Sequence, residues 1–406
     1  MKFLNFLIVI FPLFVHSEPL QDTVFLYNNR NQTEKILNRK IINSYLEKKL
    51  SDSTEELWAS AFSAAQILNR KDEWYKSKIN IAVKYLPLAT KEFKHKVLEI
   101  IFPLAGYEQD ALSLLNQEND PEIFAMCGEY LLKSKNDYYI KTVRNASSEK
   151  LKTNPQNIFY KQLLSHTNSQ KYFADYISFF DKDYLKGNVI VISLQRKNRN
   201  YAGLTFIRNK EGEFITAVPQ LARSISGLPS YIKNGNTPQG IFRMDGLGKS
   251  QAEFIGPTLN IQLTMPGEYD ARHFYKDSTI DSLTTDITFY KSLLPDNYKN
   301  FDPAFEAYYA GLSGRTEIIA HGTTLKPSYY FSEKFYPYSP TLGCLSTLEL
   351  WNDNSGLREM SDQQKLVDAV TSAGGADGYY IVIDIDDSQK PVTADEVFLK
   401  LNKQIL

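Results

Sequence analysis

The chain has 406 residues, 43% of them apolar and 23% charged, and its 46 lysines and arginines nearly balance 47 aspartates and glutamates, for a formal charge of -1. That balance excludes the basic footprint of a nucleic-acid-binding protein, and the length exceeds what one core usually holds, so two domains of roughly 150 to 200 residues are expected. Only Cys127 and Cys344 are available for an internal disulfide.

The first segment, Met1 to Ser17, carries Lys2, an apolar run from Phe6 to Val15, and Val15-His16-Ser17, a cleavage-type ending. This pattern predicts a secretory signal over 1–17, removed near Ser17, and hence a periplasmic, cell-envelope or secreted protein. The run contains Pro12 and is shorter than the ~20 residues a bilayer helix needs. No cysteine follows Ser17 to accept a lipid.

Residues 18–184 read as an α-helical domain. From about Gln32 to Asp181 apolar residues recur at helical spacing without alternating segments. Ser53-Thr54-Glu55-Glu56 predicts a capping box, with Leu57, Ala61 and Leu68 on one face. Further short helices centre near Ile81, Val97, Leu114, Cys127, Val143 and Leu163. Their even spacing resembles a tetratricopeptide-like or similar α-solenoid, although no repeat consensus aligns, and a plain helical domain fits equally well. Cys127 follows Phe124 by three and precedes Leu131 by four. It therefore lies on an apolar stripe, as a buried free thiol and not a disulfide partner of Cys344. His95 and His166 read as structural or solvated.

The pattern changes at Gly187. Val189 to Ile192, Leu204 to Ile207, Phe214 to Val218, Ile241-Phe242, Leu259 to Leu263, Glu317 to Ala320 and Tyr379 to Ile385 predict strands, with a hairpin turn at Asn209-Lys210-Glu211-Gly212. One helix is predicted after Cys344, opened by Ser361-Asp362-Gln363-Gln364 and closed by Gly374-Gly375. Another short helix opens at Thr393 to Glu396, in a C-terminal tail over 389–406. The fold class expected is α+β and multidomain: an all-α domain, then a mainly β domain over 187–388.

Three stretches of that second domain carry chemistry: Thr237-Pro238-Gln239-Gly240-Ile241-Phe242, Ile319-Ala320-His321-Gly322-Thr323 and Thr341-Leu342-Gly343-Cys344-Leu345-Ser346. A thiolate attacks carbonyls, and an imidazole can take its proton, so Cys344 and His321 pair as nucleophile and base. Taken singly, each stretch has a plainer reading. A cysteine after glycine is usually a buried structural residue, and His-Gly-Thr and Thr-Pro-x-Gly are turns. A zinc site lacks support, since Asp270, His273, His321 and Cys344 show no ligand spacing.

In this order the three stretches resemble the motifs of the L,D-transpeptidase (YkuD-like) catalytic domain. The resemblance covers 187–388 and implies a mainly β domain that needs no cofactor and acts on peptidoglycan stem peptides. It implies an acyl-enzyme at Cys344 with release of a terminal D-alanine, then transfer to an amine; with water as acceptor the outcome is L,D-carboxypeptidase. The oxyanion would rest on the backbone of Cys344 and Gly343. Gly322, Thr341, Ser346, Arg272 and Tyr330 are candidate substrate contacts, Arg272 as a carboxylate clamp. Arg315 carries the same reading. Tyr329-Tyr330 and Tyr336 to Tyr338 fall in a long segment between base and nucleophile, a candidate lid. Two departures stand out: Leu342 replaces a histidine, and Ser346 replaces an arginine or asparagine. These departures also fit a non-catalytic scaffold that binds peptidoglycan or a partner protein, and the helical domain is itself a candidate partner-binding surface.

Overall fold

The computed structural model describes residues 21–168 and 173–403; the expected signal over 1–17 lies outside them. Helical backbone runs unbroken from Tyr27 to Leu46, earlier than the expected start near Gln32. Seven helices follow: Glu55–Ile67, Glu73–Tyr85, Lys91–Ile101, Glu108–Gln117, Pro121–Leu132, Asp137–Thr153 and Ile158–His166. Asp72, Thr90, Asp120, Asn136 and Asn157 each accept a first-turn N–H, which satisfies donors that the helix itself leaves open.

The capping box stands two residues earlier than Ser53-Thr54-Glu55-Glu56 suggests. It is formed by Ser51 and Thr54, and the Ser51 N–H donates to Thr54 Oγ1 at 2.9 Å. Glu55 is drawn instead into the core, where it accepts from the Thr90 backbone N–H at 3.2 Å.

The second half is built on a sheet. Its strands are β1 (Val189–Arg196), β2 (Gly203–Arg208), β3 (Phe214–Gln220), β4 (Gly240–Gly248), β5 (Asn260–Thr264), β6 (Ile319–His321), β7 (Leu345–Ser346), β8 (Glu349–Trp351), β9 (Arg358–Ser361) and β10 (Gly378–Asp386). Eight strands form one sheet in the order β3-β2-β1-β10-β4-β5-β6-β7, while β8 and β9 pair separately. The pairs β1–β10 and β6–β7 are parallel and the others antiparallel. Leu221, just after β3, exchanges backbone hydrogen bonds with Ser346 of β7, at 2.8 and 2.9 Å, so the two edges of the sheet meet and it is nearly closed.

Alternation along the strands divides the sheet's apolar side chains between two cores. Ile190, Ile192 and Leu194 of β1, with Tyr379, Ile381 and Ile383 of β10, pack with Tyr176, Phe179, Tyr290 and Phe305. Val189 and Val191, with Tyr380 and Val382, face the other way, toward Leu366 and Val370 of the helix Asp362–Ser372. This is why the β1 and β10 sequences read as continuous apolar runs, as strands covered on both faces do.

The β half holds more helix than its sequence suggests. Beyond Asp362–Ser372 and Ala394–Lys403, short helices form at Ala271–Tyr275, Ile287–Leu293 and Glu306–Leu312. Each is at most two turns long, too short for a helical period to register. Tyr290 and Tyr308 bury aromatic rings against the sheet and supply the stability that local propensity does not. Tyr176, Phe179 and Phe180, although N-terminal to Gly187, pack with the sheet. Leu228, Tyr231 and Ile232 cross the other way, into the core of the helical half.

Candidate active site

The parallel pairing of β6 and β7 places His321 on the strand beside the one that Cys344 leads into. In that register Ala320 lies opposite Leu345, and His321 opposite Ser346. Ala320 and Leu345 both point into the apolar core, so alternation turns His321 and Cys344 toward the other face on neighbouring strands. His321 is buried, 4% exposed, while Cys344 is partly exposed at the head of β7. Both cysteines are free.

The imidazole tautomer follows from its partner. His321 Nδ1 lies 2.6 Å from the Gly322 carbonyl oxygen, which can only accept, so Nδ1 carries the hydrogen and Nε2 keeps its lone pair. Burial pushes the imidazole below its ordinary pKa despite that bond, so it stands neutral near pH 7. A neutral ring with a free Nε2 is the form a general base requires.

The thiol is held in its protonated form. Burial pushes the Cys344 pKa up, a backbone hydrogen bond from Ile319 and the Arg315 charge pull it down, and Glu317 raises it. Sγ donates to the Glu317 carbonyl at 3.6 Å, and among the described residues no hydrogen bond joins Sγ to His321. Glu317 has a left-handed backbone with φ of 63°, a strained conformation for a residue with a side chain. Its own N–H donates to Glu268 Oε1 at 3.1 Å, which holds the strained peptide in place.

The turn before Cys344 is organised by two threonines. Thr341 Oγ1 accepts from the Gly343 N–H at 3.0 Å and donates to the Cys344 carbonyl at 2.8 Å. Thr237 Oγ1, from the Thr-Pro-Gln-Gly stretch, donates to the Gly343 carbonyl at 2.8 Å. That stretch is therefore scaffolding for the turn before Cys344. Gly343 has φ of 120°, and a Cβ there would collide with Arg315 Nη2 and lie 2.8 Å from the Gly235 carbonyl oxygen. Because its N–H is already bonded to Thr341, the oxyanion role read for Gly343 is unavailable in this arrangement, leaving the Cys344 amide.

The remaining candidates separate. Thr341 shapes the turn, and Ser346 is buried, with Oγ donating to the Ser339 carbonyl at 2.6 Å. Gly322 is a glycine because the buried Glu349 Oε2 packs against it, leaving no room for a Cβ. Arg272, placed as a carboxylate clamp, is exposed and forks onto its own neighbour Asp270, with Nη2 2.6 Å from Oδ2. Tyr330, placed against substrate, is 2% exposed and donates to the Ile67 carbonyl at 3.0 Å. The segment between His321 and Cys344 is thereby tied to the helical half, where Asn69 Nδ2 also donates to the Tyr329 carbonyl at 3.1 Å. Leu342 is 53% exposed beside Cys344.

Compared with family models, with curated proteins and with solved structures, the chain matches none. Sequence reasoning gave Glu317 and Glu268 no role at the site and read Arg315, like Arg272, as a carboxylate clamp or a solvated charge. None of them stands in a motif, and only long-range packing brings them to Cys344.

Proposed function

We propose that this protein is an exported cysteine acyltransferase of the L,D-transpeptidase type, acting on peptidoglycan stem peptides. The observation that carries this reading is the β6–β7 pairing, which sets a neutral histidine with a free Nε2 on the strand beside the one that carries the cysteine. In the reaction so read, Nε2 of His321 takes the Cys344 proton as sulfur bonds to the stem carbonyl. The carbon–nitrogen bond to the terminal D-alanine then breaks, and the proton passes to the departing amine. The Cys344 amide holds the oxyanion. An acceptor amine next attacks the thioester, sulfur leaves as thiolate, and the proton lost by the amine returns the thiol. With water as acceptor the same site is an L,D-carboxypeptidase.

The Sγ–Glu317 bond, with no hydrogen bond to His321, is the observation that favours a non-catalytic, peptidoglycan- or protein-binding scaffold. One experiment separates the two. Intact-mass measurement of the protein incubated with a stem tetrapeptide or a carbapenem should show a covalent adduct at Cys344; no adduct with either reagent, where a typical L,D-transpeptidase is labelled, rejects the enzyme.

A further inference from the structure

We propose that Arg315 is a positioning residue for the nucleophile, packing against the Gly343–Cys344 turn and stabilising the Cys344 thiolate. The proposal rests on the reading of Cys344 as the nucleophile.

Arg315 is 6% exposed, and its hydrogen bonds run only to neutral carbonyls. Nη1 donates to the oxygens of Ser230 and of Asn236, the latter at 2.9 Å, and Nη2 to Gly235 at 3.1 Å. Among the described residues no carboxylate lies within ion-pair distance of it. A buried guanidinium whose donors are met but whose charge is not is costly, and an anion formed beside it is stabilised in proportion. Cys344 is the strongest charge partner Arg315 has, ahead of Glu306 and Glu122, and burial pushes the guanidinium itself down to about 10. The charged groups facing Cys344 are Arg315, which favours the thiolate, and Glu317, which opposes it.

The guanidinium also explains the glycine. Nη2 occupies the space a Cβ on residue 343 would need, so the cation and the turn fit only one way. The three carbonyls that hold Arg315 belong to the segment 228–237, whose other side is fixed to the helical half. Tyr231 OH donates to Glu129 at 2.6 Å, the Lys233 N–H to Glu122 at 3.2 Å, and Asn234 Nδ2 to Glu99 at 3.2 Å. Leu228 and Ile232 complete the attachment through the helical core. A continuous chain of contacts therefore leads from the helices Lys91–Ile101 and Pro121–Leu132, through three carbonyls and Arg315, to the nucleophile turn. This gives the helical half a part in setting the thiol.

The test is the pH dependence of Cys344 alkylation by iodoacetamide, read by peptide mass on the full chain, in wild type, Arg315→Gln and Arg315→Lys. The Gln variant keeps amide donors without the charge; the Lys variant keeps the charge. The expected result is an upward move of the alkylation midpoint by a pH unit or more in Arg315→Gln, which is about tenfold slower reaction on the low-pH side, and a move of less than half that in Arg315→Lys. Unchanged midpoints in a folded Arg315→Gln overturn the proposal, as do equal shifts in both variants. Should Arg315→Gln fail to fold, Arg315→Lys decides alone, a shift of a full unit being the overturning result. Carbapenem labelling of the same wild-type sample keeps the two readings apart: a thiol that alkylates with the expected dependence on Arg315 but never acylates rejects the transpeptidase and leaves the positioning role standing.

Discussion

The two cysteines set the helical half against the sheet. Cys127 sits inside the helix Pro121–Leu132 with no exposure, and burial drives its thiol far up from the ordinary value. Cys344 sits at the head of a two-residue strand, partly exposed, with a strained carbonyl, a buried cation and a histidine-bearing strand around it. The other histidines of the helical half follow the same division. His95 lies between Glu99 and Glu122, at 3.8 and 3.6 Å, and His166 pairs with Glu129 at 2.6 Å, whereas His321 bonds to a backbone carbonyl. A helix interior closes round its side chains. A strand end leaves one valence open, which is where reactive groups can be held.

The sharpest break in that comparison is chemical. Cys344→Ala should abolish both stem-peptide turnover and adduct formation with a folded circular dichroism spectrum, and turnover that survives would sink the cysteine mechanism. His321→Ala should slow adduct formation by about 100-fold or more, the usual scale of a lost general base; a rate within a few-fold of wild type would mean that the two strands carry no dyad.

Next in size is Gly343→Ala. The left-handed backbone and the collision with Arg315 together should cost about 3 kcal/mol, read as a lower denaturation midpoint with slower adduct formation. A variant as stable as wild type would show that the turn and Arg315 can part freely.

A smaller effect concerns the joint between the halves. Burial alone would lower the His166 pKa, but Glu129 outweighs it through charge and a hydrogen bond, Glu306 adds to it, Lys197 opposes, and the net shift is upward. A group whose folded pKa is raised contributes stability that is present below its unfolded value, 6.5, and is lost as the pH rises through the folded one. The thermal midpoint should therefore fall as the pH rises above 6.5, and His166→Gln should flatten that slope. The same slope in wild type and variant would place the effect elsewhere. Smallest of all, Cys127→Ala should keep full activity and cost about 1 kcal/mol; lost activity at unchanged stability would contradict its place as a packing residue.

Local pattern carried the order of helices and strands a long way. The six helices centred from Ile81 to Leu163 and the hairpin at Asn209 to Gly212 form, and each of the seven predicted strands overlaps a strand, although the one read over Glu317 to Ala320 begins only at Ile319. Ile287–Leu293 and Glu306–Leu312 did not read, being short and stabilised by aromatic packing across the chain. Cys344 and His321 were legible as residue types in a recognisable order. Their neighbourhood was not: Arg272 and Tyr330 looked available and proved to be bonded to Asp270 and Ile67, while Thr237 looked like a turn residue and proved to hold the turn before Cys344.

Charge balance, strand periods and the identities of a thiol and an imidazole are properties of neighbouring residues, and the sequence by itself determined them. The parallel pairing of β6 with β7, the burial of His321 and the burial of Arg315 against Gly343 belong to the tertiary structure alone. Each depends on groups far apart in the chain, and the free energy of burying a charge, or of sharing a proton, is decided by what surrounds the group after folding, not by what adjoins it in sequence.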